Sequence, residues 1–134
     1  MALLLTQLGR LTGNPEYEEI ALEAVHGMAD FMRQQPTGFG SLLQALEASI
    51  APHREIAVIG DLEDTNTQAL LEVIHKCFLP FVSLAAGKPG EAYLPVLEHR
   101  DLVNGSSAAY VCENLACQLP VTTAQELEAI LARN

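Results

Sequence analysis

Apolar side chains recur at three- and four-residue intervals through the first part of this chain, then close up into a solid block, and afterwards mix both patterns. Leu4, Leu8 and Leu11 keep helical spacing, and Leu3 and Leu5 widen the stripe. Thr12-Gly13-Asn14-Pro15 reads as a stop followed by a start. Gly13 suits a left-handed C-cap, Asn14 an N-cap, and Pro15 the first helical position. Glu16, Glu18 and Glu19 then occupy the first turn, where the helix dipole favours anions. The second helix places Ile20, Ala21, Ala24, Val25, Met28, Phe31 and Met32 on one face. It is expected to end near Gln35, because Pro36 disfavours the helical state of the residue before it. Thr37–Gly40 reads as a loop, and Leu42, Leu43, Leu46 and Ile50 mark a third helix ending at Ala51-Pro52.

The solid block is Ile56-Ala57-Val58-Ile59, inside His53–Asp61. A strand with one wet face would alternate. An unbroken β-branched run suggests a strand buried on both faces, as in a parallel sheet. Thr65-Asn66-Thr67-Gln68 reads as a capping box, opening a helix with Ala69, Leu70, Val73, Ile74 and Cys77 on one face. Phe81–Ala86 is the second strand, and a right-handed crossover would make it parallel to the first. Tyr93–His99 suggests a short helical turn with Pro95 near its start. Ala108–Cys112 is the third strand, and Thr123-Ala124-Gln125-Glu126 is a second capping box before a helix with Leu127, Ile130 and Leu131. The predicted fold class is α/β (α+β), with three N-terminal helices over residues 1–52. A small, mostly parallel three-stranded sheet with two helices follows over 53–134.

Composition narrows the function classes. The formal net charge is −10, and Lys76 and Lys88 are the only lysines. Nucleic acid and anionic membrane surfaces both call for a basic face, so neither is an expected partner. MALLLTQLGR lacks the basic n-region of a signal peptide and reads as a helix. No stretch reaches transmembrane length. With three cysteines and no sign of secretion, a reducing cytoplasm is the expected compartment.

Candidate chemistry is sparse. Cys112 and Cys117 stand in a C-x4-C arrangement, which is neither the thioredoxin C-x-x-C nor half of a zinc site with close ligand pairs. Three readings stay open: two reduced cysteines, a disulfide or redox-sensitive pair, and a metal site completed by Cys77 with His26, His53, His75 or His99. Gly60-Asp61-Leu62-Glu63-Asp64 lies where α/β folds bind phosphate, but its carboxylates would repel an anion and no glycine-rich fingerprint is present. No cofactor is expected.

Tyr110-Val111-Cys112, Asn114, Cys117 and Pro120, taken with Arg54–Asp61 and Leu8–Asn14, carry a resemblance along essentially the whole chain. The chain resembles the carboxyl-terminal end of the thioredoxin-domain-containing, spermatogenesis-associated-protein family. The resemblance implies a much longer parent, with a thioredoxin-like domain and an (α/α) barrel similar to six-hairpin glycosidases and sugar epimerases. The three helices would be the last barrel hairpins, and Pro36, Thr37, Gly38, Phe39, Gly40 and Ser41 the loop facing a sugar pocket. The family's redox motif has no counterpart position here. The expected role is therefore structural or in docking, non-catalytic in isolation, in a protein implied to act in carbohydrate metabolism. The expected partner is a second copy of the chain or the missing barrel portion. The alternatives are part of a sugar epimerase- or hydrolase-like enzyme needing the rest of the barrel, and a cysteine-pair redox or metal module.

Overall fold

The computed structural model describes residues 1–114 and 116–132, and the chain forms two compact units, Met1–Pro52 and His53–Asn134. It is an α+β protein, with the helices of the first unit preceding a mixed sheet.

In the first unit, helix α1 spans Ala2–Thr12 and ends at Gly13, whose φ of 68° is the left-handed cap expected of a glycine there. Asn14 caps helix α2 (Pro15–Gly27) by accepting the Glu16 N–H at 3.1 Å. The single second helix expected from the apolar stripe is in fact two. Gly27 ends α2, Met28 leaves helical geometry at φ −108°, ψ 4°, and helix α3 covers Ala29–Gln34. Glycine's low helix propensity overrides a side-chain pattern that continues across the break. The expected loop after it is also structured: Pro36–Phe39 is a 3-10 turn, and helix α4 (Gly40–Ile50) starts directly from it. The buried core is Ala2, Ala21, Val25, Met32 and Ala45, lined by half-buried Leu3, Leu5, Met28, Phe39, Leu42 and Leu46. Arg10 crosses from α1 to donate to the Ala48 carbonyl on α4.

The second unit holds strand β1 (Arg54–Ile59), helix α5 (Thr65–Lys76), strand β2 (Val82–Gly87), a 3-10 turn at Pro95–Leu97, strands β3 (Ala108–Glu113) and β4 (Ala116–Cys117), and helix α6 (Ala124–Leu131). The strand order is β2-β1-β3-β4. The expectation of a mostly parallel three-stranded sheet is corrected on both counts. The described residues form four strands, and among them only β1–β2 is parallel, β3 being antiparallel to β1 and β4 to β3. Helix α5 makes the one crossover. The segment from Lys88 to Ser107 leaves β2 at the end where Ala108 opposes Ile59, so the chain re-enters the sheet without crossing it. The helical turn expected around Pro95 is present.

Central β1 is buried on both faces from Ile56 through Ile59. Ile56, Val58, Ala109 and Val111 meet Leu70 and Ile74 of α5 and Leu127 and Leu131 of α6. The opposite face lies under the 3-10 turn, which packs on β1 and β2 and carries buried Val96 and Leu97. Asp64, not Thr65, caps α5, accepting the Thr67 N–H at 3.2 Å. Thr123 caps α6 as expected, and its hydroxyl also donates to the Glu126 carboxylate at 2.8 Å. Among the described residues, no helix is long and apolar enough to cross a membrane.

Candidate functional site

One row across the sheet departs from its neighbours. In strand order it reads Ser83, Glu55, Cys112, Cys117, because Glu55 pairs with both Ser83 and Cys112, and Cys112 pairs with Cys117. The adjacent row is apolar, with Leu84, Ile56 and Val111 in register. Successive residues of a strand face opposite sides. The polar row therefore lies on the face away from α5 and α6.

The hairpin that ends the row is built locally. Glu113 and Ala116 oppose each other across the tight turn, and Asn114 adopts a φ of 48°, a region asparagine tolerates better than most residues. Asn114 also ties the turn to the start of β1. Its N–H donates to the His53 carbonyl at 3.0 Å, and its side-chain oxygen accepts the His53 N–H at 3.3 Å. The next pair outward is Cys112 and Cys117, and their sulfurs are joined in a disulfide. Cross-strand register brings together two cysteines whose redox state their spacing left open. Cys112 is 1% exposed, whereas Cys117 is open to solvent.

Arg100 lies over this pair. Its Nη2 is 3.1 Å from Cys112 Sγ and 4.0 Å from Cys117 Sγ. The guanidinium carbon is 5.8 Å from the centre of the Tyr110 ring, within cation–π range. Tyr110 holds the segment in place, its hydroxyl donating to the Asp101 carbonyl at 2.8 Å and accepting the Asp101 N–H at 3.3 Å. The Arg100 side chain is 12% exposed, and Glu55 Oε2 lies 3.9 Å from Nη2. Nη1 is buried and has no hydrogen-bond partner among the described residues. A guanidinium cannot lose its proton, so this donor is a standing electrostatic cost.

At the other end of the row, His53 Nε2 is 3.1 Å from Ser83 Oγ, and His53 Nδ1 is 3.9 Å from Glu55 Oε1. The order hydroxyl–imidazole–carboxylate is that of a nucleophile, its base and an orienting group. Here the carboxylate stands beyond hydrogen-bond distance and Ser83 is only 8% exposed.

A cavity of about 570 Å³ opens beyond the end of β1, lined by Asp61, Asp64, Asn66, Ser107 and Thr122 among others. Its polar groups mostly satisfy one another. Asp64 accepts from the Ser107 hydroxyl at 3.1 Å, Ser107 and Thr67 share a hydrogen bond of 2.8 Å, and Asn66 donates to the Ser107 and Thr122 carbonyls. Gly60 lies beneath, where a Cβ would collide with Thr67 and Ser107. The Glu63 N–H, then the Lys88 ammonium, hold the Asp61 carboxyl below its ordinary value.

Of the residues expected from sequence, Tyr110, Cys112, Asn114 and Cys117 come together, while Val111 faces the helices and Pro120 lies beyond β4. Cys77 packs against the core under α5, on the side of the sheet Cys112 does not face. Among the described residues, no three His, Cys, Asp or Glu side chains gather as a metal would require. Pro36, Thr37, Gly38, Gly40 and Ser41 are exposed, and Phe39 tucks into the helical core. Arg100, Glu55, His53 and Ser83 were missed as a group. The continuous block Ile56–Ile59 predicts a central β1, but only the register places Glu55 against Cys112.

The chain is 29% identical over 132 residues to spermatogenesis-associated protein 20 of Homo sapiens, matching its C-terminal part. The proteins of the same name in Rattus norvegicus and Mus musculus are 29% and 27% identical over the same length. Each match covers 95% of this chain and 17% of the relative, so the chain spans about a sixth of the length of the curated relatives it matches. No family model matches the chain, and no solved structure matches it.

Proposed function

We propose that this chain is the structural, non-catalytic carboxyl-terminal part of a larger architecture, with its helical unit docking onto further helices. The observation that carries this reading is the apolar surface that unit leaves in solvent. Leu4, Ile20, Phe31 and Ile50 are 60%, 52%, 58% and 75% exposed, while four of its six buried hydrophobic residues are alanine. Large side chains outside and small ones inside are the reverse of a self-sufficient bundle. The similarity to the C-terminal part of far longer relatives supports the same reading. In it, the missing helical barrel is the partner, the exposed turn Pro36–Ser41 faces that barrel's pocket, and the assembly serves carbohydrate metabolism. The test is co-sedimentation of the chain with the helical portion that precedes the matching segment in a relative. A complex that I20E or F31S disrupts supports docking. Self-association that the same substitutions disrupt makes a second copy the partner. A monodisperse monomer that ignores the added portion refutes the reading.

A second reading is favoured by the contact of Arg100 with Cys112. The α/β unit would then carry a redox-responsive cysteine pair that acts whether or not the helical unit is docked. Counting free thiols in the native chain checks it: one reactive thiol, Cys77, is expected, and three would refute it.

A further inference from the structure

We propose, building on that second reading, that Cys112–Cys117 is a thiol–disulfide exchange site with a set direction: an external thiol attacks Cys117, and Cys112 leaves as a thiolate against Arg100. Two independent features of the hairpin impose the direction. The first is access. Exchange proceeds by attack of a thiolate on one sulfur, and the sulfur attacked must be reachable. Cys117, on the short edge strand, is exposed, whereas Cys112 is sealed between β1 and the Arg100 segment.

The second feature is the leaving group. Arg100 Nη2 lies 3.1 Å from Cys112 Sγ, closer than to Cys117, and Nη1 is buried without an acceptor among the described residues. While the sulfurs are joined, this cation faces a weak acceptor, with the Glu55 carboxylate 3.9 Å away. Opening the bond places a full negative charge 3.1 Å from a guanidinium whose Glu55 partner stands farther off, at 3.9 Å. A cation beside a thiol favours the thiolate, and a thiol of lower pKa leaves faster. The charged groups facing Cys112 are Arg100 from the connecting segment and Glu55 from β1, with the Tyr110 ring beside the guanidinium. Glu55 opposes the thiolate, and Arg100, the closer group, favours it.

The step balances with a small thiol as the reductant. The first thiolate, RS⁻, bonds to Cys117 Sγ as the protein S–S bond breaks, and that bond's electron pair stays on Cys112 Sγ. A second RS⁻ attacks the RS sulfur of the mixed disulfide, forming RSSR and releasing Cys117 as a thiolate. Two RSH are oxidised to RSSR, and the protein disulfide is reduced to two thiols.

The test uses the full oxidised chain. A short exposure to reduced glutathione is quenched with acid, and the mixed disulfide is located by peptide mass mapping. Reduction rates are then compared in wild type, R100Q and R100K. The expected results are glutathione on Cys117, reduction about tenfold slower in R100Q, and part of the rate recovered in R100K. After full reduction, the ultraviolet absorbance of the cysteine thiolates should also persist to lower pH in wild type than in R100Q. Glutathione on Cys112 overturns the proposal, as do equal rates in wild type and R100Q. The mapping uses the unaltered chain, so it holds even where a variant fails to fold. An air-oxidised chain whose mass is not two hydrogens below the reduced one defeats the redox reading itself, before the direction of attack is tested.

Discussion

The α/β unit buries Ile56, Val58, Leu70, Ile74, Val111, Leu127 and Leu131 around one sheet, and the helical unit buries Ala2, Ala21, Val25, Met32 and Ala45. A fully buried leucine or isoleucine contributes about 1.5–3 kcal/mol and an alanine well under that, so the two units differ in what holds each together. Alanine at a helix–helix contact lets backbones approach closely but removes little apolar area from water. Leu4, Ile20, Phe31 and Ile50 carry the area the helical core lacks, and they carry it on the outside. The contrast is between a core of large side chains and one built mostly on alanine, with large side chains left outside.

The largest expected effect follows from separating the two. Residues 53–134 alone should unfold cooperatively in urea, while residues 1–52 alone should give a broad transition or self-associate. A sharp, monomeric transition from 1–52 would break the contrast. Within the α/β unit, Leu127→Ala should cost about 2–5 kcal/mol by urea denaturation of the full chain, since Leu127 is fully buried. Ile20→Glu in the helical unit should change stability by no more than about 0.5 kcal/mol while reducing association, read by sedimentation. Gly60→Ala should cost about 1–3 kcal/mol by the same denaturation measurement, because the new Cβ meets Thr67 and Ser107. The smallest effect is electrostatic. Asp61 has a folded-state pKa below its ordinary 3.8, through the Glu63 N–H and Lys88, so it stabilises the fold above that value and loses the contribution as pH falls through the folded pKa. Thermal scans below pH 4 should show a slightly steeper loss in wild type than in D61N.

The comparison also shows where sequence patterns carry and where they stop. The Gly13–Pro15 junction was legible because its signals are local: a left-handed cap, a side-chain cap and a preset φ act within a few residues. Thr123 was legible for the same reason. The break at Gly27-Met28 was not, because the apolar stripe continues across it and the interruption is in the backbone. The Thr65 signature pointed one residue late, since Asp64 offers an equally good cap oxygen and also accepts from Ser107, forty-three positions away.

The cysteine site was half legible. Cys112, Cys117, Tyr110 and Asn114 stood out as a motif, but the motif left the redox state open. Nothing near them in sequence points to Arg100 as the cation on Cys112, or to Glu55 and Ser83 as their neighbours across the sheet.

By itself the sequence determined the α+β class, the short turn between α1 and α2, the buried character of β1 and the wide apolar surface of the N-terminal helices. Each rests on residues within a turn or two of one another, where propensity, capping and periodicity act. Tertiary structure alone decided the antiparallel entry of β3, the pairing of Cys112 with Cys117 and the placing of Arg100 over their sulfurs. Those depend on which strands lie side by side and in what register. That choice is made by long-range burial against α5 and α6, and local pattern does not encode it.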